Sequence, residues 1–115
     1  MSDMTIEINA LSDSIEIIKV EGYLDAHTFE QLDNCMLDLF SKGKVRLVVD
    51  LADVDYISSA GAGVFIGNIG RAQDSGGNIV LLNPSENVKE VFELLGLTQI
   101  FTLVSTKSEA LNQFN

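Results

Sequence analysis

Two adjacent hydroxyls, Ser58 and Ser59, are the side chains best placed to do chemistry in this sequence of 115 residues. Before them runs Val45-Arg46-Leu47-Val48-Val49, where β-branched residues dominate, so it reads as a buried strand. After them the apolar segment from Ala62 to Ala72 is too long for a second strand and reads as a helix. A helix begins with backbone N–H groups that lack partners and with positive dipole character, so its start suits negative charge. The serines therefore stand where a phosphoryl group would be received well.

Other chemistry finds less support. Asp50, Asp53 and Asp55 lie between the strand and the serines and could suggest metal or phosphotransferase carboxylates. No further ligand cluster accompanies them, and solvated loop carboxylates are the simpler reading. His27, the only histidine, follows Asp25 with no Ser or Cys arranged as a triad partner, and is read as decorating a helix terminus. Cys35 falls on an apolar stripe and reads as core. No G-x-x-x-x-G-K-[ST] pattern is present, and Gly61-Ala62-Gly63 is too weak to be a nucleotide loop. The chain is therefore not expected to be an enzyme, nor to hold a cofactor or metal of its own.

The elements that must position the serines follow from periodicity and punctuation. Thr5–Asn9 and Ser14–Glu21 alternate apolar with polar residues, which predicts a hairpin with one wet face, the second strand ending at Gly22. Asp25 is expected to cap a helix reaching about Ser41, with Phe29, Leu32, Cys35 or Met36, Leu39 and Phe40 on one stripe. Its other face is acidic through Glu30, Asp33 and Asp38, and Gly43 closes it. The helix after the serines ends near Ser75-Gly76-Gly77, and Asn78–Leu82 is a second buried strand. Asn83-Pro84-Ser85-Glu86 predicts a helix start with Asn83 at N-cap, followed by Val88, Val91, Phe92 and Leu95 and stopped by Gly96. Ile100–Val104 is a short last strand, and Thr106 with Glu109 forms a capping box opening a last helix. The order β-β-α-β-α-β-α-β-α points to one α/β domain: a mixed, mostly parallel sheet of four to five strands packed with about four helices.

Glycines are frequent in the central helix, where each interior Gly costs about 1 kcal/mol relative to Ala. Gly63, Gly67 and Gly70 fall together on a helical wheel, roughly opposite Ala62, Phe65, Ile66 and Ile69. Two readings fit: a flat strip facing outward, where another protein could approach the backbone, or close packing against a neighbouring helix.

Bulk composition narrows the partners. Seven basic residues against seventeen acidic ones give a net charge of −10. That charge opposes binding to nucleic acid or to an anionic membrane surface and suits a protein partner with a basic surface. The apolar fraction, 46%, is ordinary for a soluble domain, and a single Cys excludes an internal disulfide. Met1-Ser2-Asp3-Met4 has neither a basic nor an apolar leader region, and no apolar run approaches the roughly 20 residues needed to span a bilayer. A cytoplasmic protein is expected.

The segment Tyr56-Ile57-Ser58-Ser59-Ala60-Gly61-Ala62-Gly63-Val64 resembles the signature loop of STAS domains, in particular bacterial anti-sigma factor antagonists. So do Gly22-Tyr23-Leu24-Asp25, Gly76-Gly77, Asn83-Pro84-Ser85, and Phe92-Glu93-Leu94-Leu95-Gly96-Leu97 with Ile100-Phe101, so the resemblance covers nearly the whole chain. It implies a single STAS domain that works by partner switching. The unphosphorylated form would bind an anti-sigma factor that is itself a Ser/Thr kinase and so free the sigma factor. Phosphorylation would reverse binding, and a PP2C-type phosphatase would reset the cycle. ATP and Mg²⁺ would belong to the kinase. The usual loop carries Asp-Ser-Ser or Asp-Ser-Thr before the glycine; laid without gaps, this chain has Ser58 at the Asp and Ala60 at the usual phosphoacceptor. The resemblance then makes Ser59 the first candidate for phosphorylation and Ser58 the second, within a partner-binding surface of Asp25, Ser58, Ser59, Ala60, Gly61, Gly63 and Gly67. The alternative it implies is a scaffold or interaction module of a transport or sensor complex that is never phosphorylated.

Overall fold

Aliphatic runs and glycine turns build a five-stranded sheet in the computed structural model, which describes residues 3–114. Met1 and Ser2, part of the segment read above as lacking a leader, lie outside the described residues, as does Asn115. The strands β1 (Met4–Ala10), β2 (Glu16–Leu24), β3 (Arg46–Ile57), β4 (Asn78–Leu82) and β5 (Thr102–Val104) stand side by side in chain order. β1 and β2 form an antiparallel hairpin, and every later pairing is parallel. Helices α1 (Phe29–Ser41), α2 (Ser59–Asp74) and α3 (Glu86–Leu94) complete the larger core on one face, and α4 (Lys107–Asn112) lies over β4 and β5 on the other.

Alternation divides each central strand between the two cores. Ile18, Val20, Leu47, Val49, Ile79 and Leu81 are sealed beneath the three helices. Ile17, Val48, Val80, Leu82 and Val104 form the other core with Ala110 and Leu111 of α4 and Phe114 just past its end. Phe65 of α2 fixes that helix to the larger core, meeting Phe92 and Phe101 edge to face at ring separations of 5.7 and 6.2 Å.

The main correction to the sequence reading concerns β3. Asp50 to Ile57, expected as a loop, continues the strand. Its buried residues Leu51, Val54 and Ile57 recur every third position, not every second. The cause is a pair of irregularities in the β2–β3 ladder: Lys19 faces Asp50 but Glu21 faces Asp53, and Gly22 faces Val54 but Tyr23 faces Tyr56. Each time β3 carries one extra residue, a bulge that keeps the apolar side chains on one face while hiding the period of a strand.

Smaller corrections have local causes. β2 does not end at Gly22 but passes through it at φ 102° to Leu24, and a Cβ there would collide with the Asp3 carbonyl. α3 starts one residue past Ser85, which is its N-cap and accepts from the Val88 amide, while Asn83 adopts a left-handed φ of 52°. Gly96 (φ 73°) does end α3, but a short 3-10 turn, Leu97–Gln99, delays β5 to Thr102.

Candidate functional site

Three chain segments meet at the carboxyl ends of β2 and β3 and set the position of the serine pair. β3 delivers Ile57 into the core and turns sharply at Ser58, whose amide donates to the Leu24 carbonyl at 3.0 Å. Ser58 is the N-cap of α2: its extended backbone turns its Oγ inward to accept from the Gly61 amide at 3.1 Å. Ser59 is the first residue of the helix and is exposed, and no hydrogen bond engages its hydroxyl among the described residues. One hydroxyl is thus committed to holding the helix start, and its neighbour is presented to solvent.

The helix end is electrostatically receptive. The first turn of α2 contains no acidic side chain, while the orphan amides of that turn point towards incoming negative charge. Ala60 is exposed beside Ser59, and an open groove between α1 and α2 is lined by Phe29, Asp33, Ala60, Gly63 and Val64. Gly63, in its lining, has nothing within 4 Å of where a Cβ would be among the described residues.

The glycines divide into two groups. Gly61 is buried, and a Cβ on it would overlap the Leu24 carbonyl oxygen, so this glycine is required for the helix start to pack on the end of β2. Gly63, Gly67 and Gly70 have open space on their Cβ side, which selects the outward strip over close helix packing. Ile66, assigned above to the apolar face with Phe65 and Ile69, is instead 49% exposed beside that strip.

Asp25 does not cap α1. It is 9% exposed and opens a tight turn: its Oδ1 accepts from the His27 amide at 2.9 Å, and its carbonyl accepts from Phe29. The N-cap position belongs to Thr28, whose Oγ1 accepts from the Asp25 amide and donates to the Tyr23 carbonyl at 2.7 Å. This clasp fixes the segment before α1 next to Leu24 and hence next to Ser58. The spacing Asp25-x-x-Thr28 before an amphipathic run was the available signal for it.

A second feature not foreseen joins the helices. Asn68, 2% exposed in α2, donates to the Val64 carbonyl and across to Asp33 Oδ1 of α1, both at 2.8 Å. It holds the two walls of the groove together. Cys35 sits half-buried on α1, where burial, aided by Asp38, pushes its thiol up to about 11.

The remaining candidates do not converge. Asp50, Asp53 and Asp55 are strand residues; Asp50 accepts from the Ala52 amide, and Asp53 pairs with Lys19 at 3.3 Å. Among the described residues no three His, Cys, Asp or Glu side chains gather as a metal would require. His27 is exposed on the turn. Among the described residues no helix is long and apolar enough to cross a membrane.

Comparison with known proteins is consistent with this geometry. Residues 9–110 match the family model of the STAS domain. The anti-sigma-B factor antagonist of Bacillus subtilis (strain 168) is 31% identical over 107 residues, covering 92% of this chain and 96% of that protein. The anti-sigma-B factor antagonist of Staphylococcus epidermidis is 29% identical over 98 residues, covering 84% and 91%. The anti-sigma factor antagonist SpoIIAA in its unphosphorylated form superposes with a TM-score of 0.81 at 24% identity, covering 95% of each chain. The phosphorylated form of SpoIIAA from Bacillus gives 0.75 at 22% identity, covering 96% and 100%; these last two are likenesses of fold.

Proposed function

The chain belongs to the STAS domain family, and from that membership we propose that it is an anti-sigma factor antagonist that works by partner switching through Ser59. In this reading the unphosphorylated chain binds an anti-sigma factor that is also a serine kinase. The kinase uses its own ATP and Mg²⁺ to phosphorylate Ser59, the complex dissociates, and a PP2C-type phosphatase restores the hydroxyl. The relatives named as anti-sigma-B factor antagonists support the general role. The observation that carries the assignment to Ser59 is the division of labour at the α2 start, with Ser58 Oγ occupied by the Gly61 amide and Ser59 exposed.

Charge explains why one phosphoryl group would suffice. Phosphoserine adds about −1.5 to −2 charges at neutral pH. At the helix terminus the dipole returns about 0.3–1 kcal/mol per charge, so the fold accommodates it. Across an interface, a like charge at about 4 Å and an effective dielectric near 20 costs on the order of 4 kcal/mol, roughly a thousandfold in affinity. Where a partner carboxylate faces Ser59, that repulsion outweighs any rearrangement within the chain, even against a partner whose surface is otherwise basic. Ala60, the Gly63–Gly67 strip and the groove beside them form the rest of the contact surface in this reading, with Asp25 shaping it from beneath through the Thr28 turn.

Incubation with the cognate kinase and ATP·Mg²⁺, followed by intact-mass analysis and peptide mapping, tests the assignment. One added phosphate on Ser59, absent from Ser59→Ala and retained by Ser58→Ala, is expected. No adduct on the wild-type chain, together with partner capture indifferent to Ser59→Asp, would favour the scaffold reading to which Ala60 at the usual acceptor position lends weight.

A further inference from the structure

The sheet face opposite the serine helix carries a surface that the switch does not use. Leu24 and Ile57 point into the larger core, so the preceding residues Tyr23 and Tyr56 point out of the other side of the sheet. They are cross-strand neighbours, 45% and 50% exposed, with ring centroids 6.2 Å apart and planes tilted by 46°. α4 covers β4 and β5 but leaves this end of β2 and β3 open, and Glu21, Ala52, Asp53 and Asp55 are exposed around the rings. A groove beside them is lined by Asp3, Thr5, Glu21, Tyr23, Asp53 and Asp55.

Among the described residues the charge of this face is one-sided: carboxylates come from Asp3, Glu21, Asp53 and Asp55, and the cation among them is Lys19, whose ammonium stands 3.3 Å from Asp53 and 3.7 Å from Glu21. The chain thus already holds one cation here, and Asp3 and Asp55 form no ion pair among the described residues. Two exposed aromatic faces next to carboxylates suit a guanidinium, which stacks on rings, forks to carboxylates and sheds water more readily than an ammonium.

We infer that the Tyr23–Tyr56 face is a docking surface for an arginine-bearing segment of a protein partner, bound by ring stacking and by the carboxylates outside the Lys19 pairs, Asp3 and Asp55. Nucleic acid and anionic lipid are excluded as occupants by the same charge. The inference goes beyond the serine switch, since none of its groups lies on α2.

The test is an NMR titration of the isotope-labelled full chain at low salt with a blocked Arg-Gly-Arg peptide and its Lys-Gly-Lys counterpart. Saturable shifts centred on Tyr23 and Tyr56 are expected, with the arginine peptide binding several-fold more tightly. Tyr23→Ser with Tyr56→Ser should weaken binding about two- to fivefold per ring, while the double Phe variant, which keeps both faces, should bind as the wild type does. Asp55→Asn should weaken it without affecting the thermal midpoint. Shifts spread equally over other acidic surfaces such as Glu90 and Glu93, equal binding of both peptides, or indifference to loss of the rings would overturn the inference. So would concentration-dependent shifts of the same tyrosines without peptide, since a second copy would then be the occupant.

Discussion

Gly61 and Leu24 meet backbone to backbone: a Cβ on Gly61 would overlap the Leu24 carbonyl oxygen and stand 2.9 Å from its carbonyl carbon. The same oxygen accepts the Ser58 amide at 3.0 Å. The close approach that seats α2 on the sheet therefore also orients the serine pair, so packing and the proposed switch share one contact.

Gly61→Ala should destabilise the domain by about 3 kcal/mol, the upper end of the range for overpacking, because the obstacle is backbone and cannot rotate away. Gly70→Ala, with open space at its Cβ position, should stabilise by about 0.5–1 kcal/mol through helix propensity alone. Urea midpoints of the two variants check the pair; equal effects would refute the division of the glycines.

Ser58→Ala removes the side-chain cap of α2 and should cost about 0.5–2 kcal/mol. Ser59→Ala should stay within about 0.5 kcal/mol of wild type, as an exposed site without a side-chain bond does. Thermal melts separate the two, and the order should reverse in a phosphorylation assay if Ser59 is the acceptor, as proposed.

Asn68→Ala should cost about 1–3 kcal/mol, since it deletes a buried donor that serves Asp33 and the Val64 carbonyl together. A double-mutant cycle with Asp33→Ala should return a coupling energy of about 0.5 kcal/mol or more. Independent effects would mean that the α1–α2 link is incidental.

Cys35 yields a pH dependence with a definite sign. Its thiol is raised from an ordinary value of 9.0 to about 11, first by burial and then by Asp38. The folded chain therefore keeps this proton longer than the unfolded chain does. The contribution to stability is complete below about pH 9 and is lost as pH rises through about 11. Urea midpoints at pH 8 and 10.5 should fall less for Cys35→Ala than for wild type, and alkylation of the wild-type thiol at neutral pH should be slow. A rapid reaction would contradict the burial.

Local chemistry was legible wherever one residue type dictates one conformation. Thr106 caps α4 by accepting from the Glu109 amide as expected, although Glu109 Oε1 reaches back to the Ser105 amide and the Thr106 hydroxyl instead of the Thr106 amide. Asn78–Leu82 is a strand with the bounds read from its aliphatic run. The α/β order and the single antiparallel edge follow from the same patterns. Most of what failed depended on pairing between distant residues. The two bulges of β3 are defined only against β2, so Leu51, Val54 and Ile57 carried no strand period in the sequence. Asp25 and Asn83 have the side chains of helix caps, yet Thr28 and Ser85 won the positions. Ser85 Oγ donates to the Val54 carbonyl, 31 residues away, which no local reading contains. Thr28 reaches back only five residues to the Tyr23 carbonyl, a local link that the Asp25-x-x-Thr28 spacing could have signalled. The serine pair itself was found correctly as a helix start, but which hydroxyl turns inward needed the Leu24 contact.

The most direct test compares the affinity of the unphosphorylated and the Ser59-phosphorylated chain for the anti-sigma factor, measured calorimetrically at one salt concentration. Binding of the unphosphorylated form and a loss of roughly a thousandfold on phosphorylation are expected, with the thermal midpoint nearly unchanged. Equal affinity of the two forms, or a loss that appears only because the phosphorylated domain has unfolded, would contradict the proposed switch.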